Sequence, residues 1–198
     1  FEQLGVSKEQ LKQFYKRVNY LITDCNRDYK IAKNNGFNSS FLGIFPGNGG
    51  LVLNPSKIHL ISERNIILIK GYEDGVGKAS VVLAALALVP NKLINDKRIV
   101  IYSADDAIKN QIKTSKELSK LQIKVFSRYK FIQNEKLLEF MGKSCIHIGN
   151  SISDGMPNAL LEAMAMGAFP IQSNPGKVTE EVIFNNKNGF LIENPLDA

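Results

Sequence analysis

Short apolar segments alternate with longer amphipathic segments over most of the chain. From residue 65 onward this pattern predicts strands at 65–70, 98–103, 122–126, 144–149, 168–172 and 189–193. It predicts helices between them, at 78–89, 105–119, 134–141, 158–166 and 178–184. Strands that alternate with helices in this way predict an α/β fold, a Rossmann-like parallel sheet with helices on both faces.

The leading part of the chain has fewer predicted elements. They are a helix from Ser7, a strand at 18–22, a short helix that ends at 34–36, a strand at 41–45 and a turn at 45–50. These elements are too few to cover both faces of a sheet. We therefore expect residues 1–55 to be the tail of a preceding N-terminal domain with its connector, and residues 56–198 to form the main domain.

Composition narrows the class of protein. The 198 residues are 44% hydrophobic and 22% charged, as in an ordinary globular protein. The net charge of +6 favours an anionic ligand, but no compact basic block indicates a nucleic-acid partner. The longest apolar run, 81–89, is too short to span a membrane.

The two cysteines bear on the cellular compartment of the protein, and the two ends of the chain bear on whether it is truncated. Cys25 and Cys145 have no metal-ligand spacing, so we expect reduced thiols and a cytoplasmic protein. The chain opens on Phe1 and not on methionine, and a last helix is expected to begin where the sequence ends. We therefore expect both ends to be truncated.

The sequence IILIKGYEDGVGKASVVLAAL at 66–86 places a glycine-rich turn between a strand and a helix. A P-loop needs glycine at position 72 and Ser or Thr after the Gly-Lys pair, and the chain has tyrosine and alanine there. We therefore reject a P-loop. Gly75, Gly77 and Lys78 still suit an anion, because glycines allow close backbone approach and helix N-termini attract negative charge. A tight turn with a solvated lysine remains the alternative for this loop alone.

A second polar loop carries the stronger signal, in NSISDGMPNALLEAMAMGAFPIQSN at 150–174. Pro157 lies at the predicted start of a helix, and Glu162 falls in its second turn among apolar residues. A capping box would need Ser or Thr at position 159, which is alanine. Because a carboxylate among apolar residues needs hydrogen-bond donors, we predict a ligand with hydroxyl groups at Glu162.

These residues resemble the nucleotide-sugar-dependent glycosyltransferases of family 4, which have the GT-B fold. The matching features are Asp154, then Gly-Met-Pro at 155–157, then Glu-Ala-Met-Ala at 162–165, with the second carboxylate eight positions after the first. FPIQSNPGKVTEEVI and NGFLIENP follow in the order that the family shows. The resemblance extends from about residue 64 to the end and more faintly back to residue 18. It implies that the chain is mainly the C-terminal, donor-binding half of such an enzyme.

The resemblance implies a role for each matching residue. The catalytic residues would be Asp154, facing the transferred sugar, and Glu162, accepting hydrogen bonds from the ribose hydroxyls. Lys78 would neutralise the diphosphate. The other implied donor-binding residues are Gly75, Gly77, Gly155, Met156, Pro157, Asn158, Gly176, Lys177 and Glu181.

Three positions depart from the family pattern. Asp154 stands where glutamate is usual, which shortens its reach by about 1.5 Å and leaves the donor sugar open. Tyr72 lies where many members carry an arginine for the diphosphate. Lys177 replaces a common second glycine after Gly176, and we expect it to restore the missing positive charge.

The resemblance further implies an activity. The enzyme would transfer a sugar from a nucleotide-diphosphate sugar to a glycan, lipid or small acceptor with retention of configuration, in polysaccharide biosynthesis. The nucleotide sugar is a substrate, and neither a cofactor nor a metal ion is implied. The acceptor, which includes lipid-linked glycans, would bind the missing N-terminal domain, so we expect the isolated chain to be inactive. We expect a cytoplasmic protein, and membrane association of the full-length protein is left open.

Two alternatives to a glycosyltransferase remain. A nucleotide-sugar epimerase of the same fold would need an acid/base pair that reaches the sugar ring, and the spacing of the two carboxylates argues against it. A non-enzymatic anion- or nucleic-acid-binding domain would use the positive charge directly, with a steep salt dependence.

Other polar residues have structural interpretations. His147, in the middle of a strand, is interpreted as a buried, hydrogen-bonded histidine, and Asp105 and Asp106 as helix caps. Arg128 and Tyr129 follow a strand and could either flank a nucleotide base or lie in a solvated loop.

Overall fold

The structure, a computed structural model, describes residues 6–47 and 49–198. The beginning of the predicted leading domain and the middle of the predicted turn at 45–50 lie outside these residues.

The observed elements follow the predicted alternation closely. The helices are α1 Lys8–Lys16, α2 Asn26–Asn34, α3 Ala79–Leu88, α4 Asp106–Thr114, α5 Asn134–Gly142 and α6 Asn158–Ala165. The strands are β1 Tyr20–Thr23, β2 Ser40–Ile44, β3 Ile66–Lys70, β4 Arg98–Ala104, β5 Ile123–Ser127, β6 Ser144–Gly149, β7 Phe169–Ser173 and β8 Phe190–Ile192. Short 3-10 helices lie at Pro55–Lys57, Ile61–Glu63, Asn91–Leu93, Leu118–Lys120, Pro175–Lys177 and Thr179–Glu181.

Six strands form one parallel sheet in the order β5-β4-β3-β6-β7-β8. From β3 the chain builds outward through β4 and β5, and then crosses back to place β6 on the other side of β3. The order therefore reverses between β3 and β6. In open sheets of this kind, a crevice that binds ligands forms outside the carboxyl ends of the strands at such a point.

Helices cover both faces of the sheet, as the apolar strands predict. Ile67 and Ile69 of β3 pack in one cluster with α3 and α4, whereas Ile66 and Leu68 pack in a second cluster with α5 and α6. Successive side chains of a strand point to opposite faces of the sheet, so a run of apolar residues requires a layer of helices on each face. Each fully buried side chain of this size contributes about 1.5–3 kcal/mol. The predicted Rossmann-like fold class is confirmed.

Two predicted helices are shorter than expected. The helix predicted at 105–119 ends at Thr114, because Ser115 takes an extended conformation and its hydroxyl accepts the Leu118 N–H to start a new turn. The helix predicted at 178–184 is replaced by a 3-10 helix at Thr179–Glu181, where the Thr179 hydroxyl bonds back to Ser173. In both places a side chain competes with the helical hydrogen bonds.

The leading segment forms a separate two-stranded parallel sheet, β1-β2, with its own cluster around Leu11, Tyr15 and Phe37. It is joined to the main sheet by a small cluster in which Cys25 packs against Met156 and Val178. Within the residues that the structure describes, no helix has the length and apolar character needed to cross a bilayer.

Candidate functional site

A cavity of about 210 Å³ lies at the carboxyl ends of β3 and β6, where the strand order reverses. The side chains and backbone that line it come mainly from the loops after these two strands. They are Lys70, Tyr72, Asp74, Val76, Gly77, His147, Gly149, Asn150, Ser151, Ser153, Asp154, Pro157, Ala159, Leu160 and Gln172. The glycine loop and the second polar loop, identified independently in the sequence, thus meet at one site.

Backbone pairing holds these two loops together. Gly77 and Ser151 form an isolated antiparallel bridge. On either side of it, the Lys78 N–H donates to the Asn150 carbonyl at 3.0 Å and the Ile152 N–H donates to the Val76 carbonyl at 3.0 Å. The loops therefore form one continuous wall of the cavity.

Gly75 and Gly77 are required for different reasons. Gly75 has a φ of +89°, in the left-handed region that favours glycine. Gly77 lies so close to Tyr72 that an added Cβ would meet the tyrosine Cβ and carbonyl oxygen at 2.5 Å.

Replacing Gly77 by alanine is therefore expected to lower the free energy of unfolding by about 1–3 kcal/mol, because the backbone of Tyr72 must move. Chemical denaturation measures this change. Gly47→Ala is the matched control, since nothing lies within 4 Å of its added Cβ. We expect the control to change stability by less than about 0.5 kcal/mol. Equal unfolding midpoints for the two variants would contradict this packing.

The two lysines that flank the glycine loop, Lys70 and Lys78, are placed differently. Lys78 is the N-cap residue of α3, and its Nζ donates to the Gly75 carbonyl at 2.8 Å. Lys70, at the end of β3, lines the cavity, and its Nζ lies 4.7 Å from the centre of the Tyr72 ring. Lys70 is not among the residues predicted from the sequence, although a lysine that ends a strand of isoleucine and leucine is a usable signal.

Arg128 links the loops after β3, β4 and β5. Its guanidinium carbon lies 4.5 Å from the Tyr72 ring centre, and its Nη1 bonds Asp74 at 3.2 Å and Asp105 at 3.0 Å. The prediction that Asp105 caps α4 is wrong: it occupies the N-cap position, but its carboxylate accepts from Arg128 and from the Glu73 N–H at 2.7 Å. The adjacent Tyr129 side chain is 74% exposed.

Asp154 lines the cavity beneath the start of α6. Burial raises the pKa of its carboxyl above the ordinary value, while Lys70, the Gly155 N–H and Arg27 act in the opposite direction. The next amide, the Met156 N–H, is donated to Asp24 of the leading segment at 3.1 Å. The backbone of the loop that carries Asp154 is thus in direct contact with the leading segment.

Glu162 lies in the second turn of α6, as predicted. It is half-buried, and its Oε1 accepts a hydrogen bond from Asn134 Nδ2 at 3.3 Å. No side chain caps α6, whose N-cap residue is Pro157. The hydrogen bond from Asn134, a residue of α5, is the one side-chain contact recorded for this carboxylate among the described residues.

The leading segment contributes a clamp that the sequence did not reveal. Arg27 Nη1 donates to the carbonyl oxygens of Asp154 at 3.0 Å and Pro175 at 3.1 Å. In return, Glu181 accepts the backbone N–H groups of Asn26 and Arg27, each at 2.9 Å, at the N-terminus of α2. Burial acts to raise the pKa of Glu181, yet these hydrogen bonds lower it below its ordinary value.

Of the remaining predicted donor-binding residues, Pro157 lines the cavity, whereas Asn158 is exposed and does not line it. Gly75, Lys78 and Glu162 are not among the lining residues either. Gly176 and Lys177 both have positive φ, 62° and 61°, in an exposed turn next to Arg27.

His147 is buried, and its Nε2 lies 3.0 Å from the Tyr102 hydroxyl, which confirms the predicted buried, hydrogen-bonded histidine. Burial lowers its pKa to about 3, and Lys70 adds to the effect. The imidazole is therefore neutral at pH 7. Its ring also lines the cavity, which the sequence did not indicate.

One group of potential metal ligands occurs in the described part of the chain, Asp24, Cys25 and Asp28, with ligand atoms within 4.8 Å of one another. Burial raises the pKa of the Cys25 thiol to about 12, so it stays protonated at pH 7. The Asp28 carboxylate already pairs with Arg27 at 2.8 Å. A protonated thiol and a paired carboxylate are poor metal ligands.

Solved structures share this fold over nearly the whole chain. Sucrose-phosphate synthase from Thermosynechococcus elongatus has a TM-score of 0.71 and 16% identity, covering 100% of this chain and 51% of its own. A mutant of S. aureus TarM in complex with UDP, Fondaparinux and alpha-GlcNAc-glycerol has a TM-score of 0.70 and 19% identity, covering 98% and 38%. Anabaena HepE in complex with UDP has a TM-score of 0.70 and 13% identity, covering 96% and 55%. The chain thus spans less than two thirds of each of these proteins.

No curated protein sequence matches the chain. The family model described as "Glycosyl transferases group 1" matches residues 54–198, well over half of the sequence and all of the six-stranded sheet. This chain therefore belongs to the group 1 glycosyl transferases.

Proposed function

We propose that the chain is the donor-binding part of a retaining, family 4-like glycosyltransferase, which transfers a sugar from a nucleotide-diphosphate sugar to a glycan, lipid or small acceptor. One observation carries this proposal. In a group 1 glycosyl transferase, the glycine loop after β3 and the polar loop after β6, here called the two signature loops, converge on a single cavity. This cavity lies where the strand order of the sheet reverses, and Asp154 and Lys70 are in its wall.

The diphosphate is assigned to the glycine loop. Lys78 would release its contact with Gly75 and turn to the phosphate oxygens, and Lys70 adds a second positive charge beside the cavity. Gly75 and Gly77 allow close approach of the backbone. Each charge-assisted hydrogen bond contributes about 1.5–3 kcal/mol. Lys177, exposed in its turn after Gly176, is proposed as a further cationic partner.

The sugar and the ribose are assigned to the two carboxylates. Asp154 faces the cavity and is proposed to contact the transferred sugar. Glu162 is half-buried with one weak partner, which suits a carboxylate that accepts hydrogen bonds from the ribose diol. Gly155, Met156, Pro157 and Asn158 are proposed to shape the donor side.

Glu181 is proposed to act on the donor side indirectly. Its carboxylate holds the N-terminus of α2, and the adjacent Arg27 holds the carbonyls of Asp154 and Pro175. The residue thus supports the loop that carries the sugar contact.

A uridine nucleotide is the first donor to test. TarM and HepE were solved in complex with UDP, and the pneumococcal O-GlcNAc transferase GtfA in complex with UDP and GlcNAc. The nucleotide sugar is a substrate in this proposal, and the reaction uses neither a cofactor nor a metal ion. We place the reaction in polysaccharide biosynthesis on the cytoplasmic side of the membrane.

We also propose that residues 1–55 belong to a preceding domain that binds the acceptor. Support comes from β1 and β2, a two-stranded sheet that exposes Tyr20, Ile22 and Leu42 by 70%, 56% and 53%. Two strands with exposed apolar side chains form an independent unit poorly. Without the rest of that domain, this chain is expected to bind donor but not to transfer sugar.

Thermal unfolding with nucleotides tests the proposal. UDP, GDP, ADP, UDP-glucose and UDP-N-acetylglucosamine are each added to the 198-residue chain. At about 100 times its dissociation constant, a true donor nucleotide is expected to raise the Tm by about 5–10 °C. Uridine without phosphate is the control and is expected to cause no shift. A chain stabilised by none of the five compounds would contradict the proposed function.

A further inference from the structure

Asp74 puts a negative charge where the diphosphate is assigned. Its side chain lines the cavity together with Gly77 of the glycine loop. Asp74 Oδ1 accepts the Gly77 N–H at 3.0 Å, and this bond, with the Arg128 guanidinium, holds the pKa of the carboxyl below its ordinary value. The side chain is therefore ionised at pH 7. An uncompensated carboxylate in this wall would repel phosphate oxygens.

Arg128, the residue that follows β5, compensates this charge. Its Nη1 lies 3.2 Å from Asp74 Oδ2, and 3.1 and 3.0 Å from the two carboxylate oxygens of Asp105. Its guanidinium carbon also lies 4.5 Å from the centre of the Tyr72 ring, in a cation–π contact. The Asp105 side chain is only 12% exposed, so solvent screens its pair with Arg128 less than it screens a surface ion pair.

The same three charged residues hold the backbone of the glycine loop. Asp105 accepts the Glu73 N–H at 2.7 Å, near the start of the loop. Asp74 accepts the Gly77 N–H at its end. Because Arg128 bonds both carboxylates, it ties both halves of the loop to the end of β5.

Arg128 acts on the cavity from outside. Tyr72, Asp74 and Gly77 are among the residues that line the cavity, and Arg128 is not. Its Nη1 is already engaged with the Asp74 and Asp105 carboxylates. An effect of Arg128 on a ligand in the cavity therefore passes through the lining residues that it contacts.

We propose that Arg128 is a positioning residue of the donor site. Through Asp74 and Asp105 it fixes the shape of the glycine loop, and it cancels negative charge that would oppose the diphosphate. This inference rests on the proposed function, because it concerns the phosphate groups of the same donor. It gives Arg128 a role other than flanking the nucleotide base.

Calorimetry with UDP tests the inference by charge rescue. Arg128→Met is expected to weaken UDP binding about tenfold, because it leaves the Asp74 carboxylate unpaired in the cavity wall. The double variant Arg128→Met/Asp74→Asn is expected to bind UDP within about threefold of the wild type. Asparagine removes the charge and keeps an oxygen that accepts the Gly77 N–H. Asp74→Asn alone is expected to stay within about twofold of the wild type, since Arg128 keeps its pair with Asp105.

Two further variants control for the loss of an arginine. Arg98 is exposed at the first residue of β4, at the amino end of the sheet, whereas the cavity lies at the carboxyl ends of the strands. Arg98→Met is therefore expected to bind UDP as the wild type does. Arg128→Lys keeps the positive charge and is expected to retain more affinity for UDP than Arg128→Met.

The rescue distinguishes positioning from a purely structural role and from a base contact. Asp74→Asn cannot repair a loop that is distorted by the loss of Arg128, and it cannot replace a contact between Arg128 and the base. In either case the double variant would bind UDP no more tightly than Arg128→Met. Chemical denaturation of each variant verifies that it is folded. Arg128→Gln, which keeps a hydrogen-bond donor, takes the place of Arg128→Met in the same comparison if the methionine variant does not fold.

The outcomes separate this inference from the proposed function. If Arg128→Met bound UDP as tightly as Arg98→Met, or if Asp74→Asn restored none of the lost affinity, the inference would be overturned and the proposed function would stand. A wild-type chain that binds none of UDP, GDP and ADP overturns the proposed function and the inference with it. If GDP or ADP binds in place of UDP, the same variants are titrated with that nucleotide.

Discussion

Glu162→Ala is expected to weaken nucleotide binding about 10-fold to 100-fold. The proposed ribose contact consists of hydroxyl groups that donate to a carboxylate, and such charge-assisted bonds contribute about 1.5–3 kcal/mol. The carboxylate is half-buried and accepts a hydrogen bond from Asn134. Isothermal titration calorimetry with UDP measures the change.

The same substitution should have little effect on the fold. The only side-chain hydrogen-bond partner of Glu162 in the described residues is Asn134, at the long distance of 3.3 Å. The free energy of unfolding should therefore fall by less than about 1 kcal/mol. Glu117→Gln serves as the control, since Glu117 is exposed and does not line the cavity. An unchanged affinity in Glu162→Ala would remove the ribose role of this residue.

Arg27→Met is expected to affect both stability and binding. Its side chain is 23% exposed, and its Nη1 is shared by the carbonyl oxygens of Asp154 and Pro175. Removing a charged donor from two partly buried acceptors is expected to cost about 2–4 kcal/mol of unfolding free energy. Because the loop that carries Asp154 then loses its support, UDP-sugar affinity should also fall about tenfold. Chemical denaturation and calorimetry on the same sample measure the two effects.

Arg17→Met is the matched control for this charge change. Arg17 is exposed at the end of α1 and contacts neither signature loop. We expect it to match the wild type in both measurements. If Arg27→Met bound the UDP-sugar as tightly as Arg17→Met does, the leading segment would have no part in ordering the loop that carries Asp154.

Secondary structure was predictable because the apolar pattern is regular. Strand β6 was predicted at 144–149 and is observed at Ser144–Gly149, and β3 differs from its prediction by one residue. The errors occurred where a side chain replaces a helical hydrogen bond, at Ser115 and Thr179. Such local competition depends on rotamers, which apolar periodicity does not report.

The candidate site was predictable in part. Both signature loops were identified from the sequence, because glycines, proline and isolated charges interrupt the apolar pattern there. Lys70 and His147 line the cavity but were not identified as part of the site. Lys70 ends the apolar strand β3 and His147 lies within β6, and the apolar pattern predicts core positions for residues of such strands. Arg27 was missed because its partners are 127 and 148 positions away in the chain.

The sequence by itself determined the parallel α/β architecture and the two loops that carry the family signature, because periodicity and motif spacing are properties of neighbouring residues. Only the tertiary structure decided which charges share a cavity and that α2 holds the loop that carries Asp154. Those features arise where β3 and β6 become neighbours and where the leading segment docks. They depend on contacts between residues far apart in the chain, which no local pattern encodes.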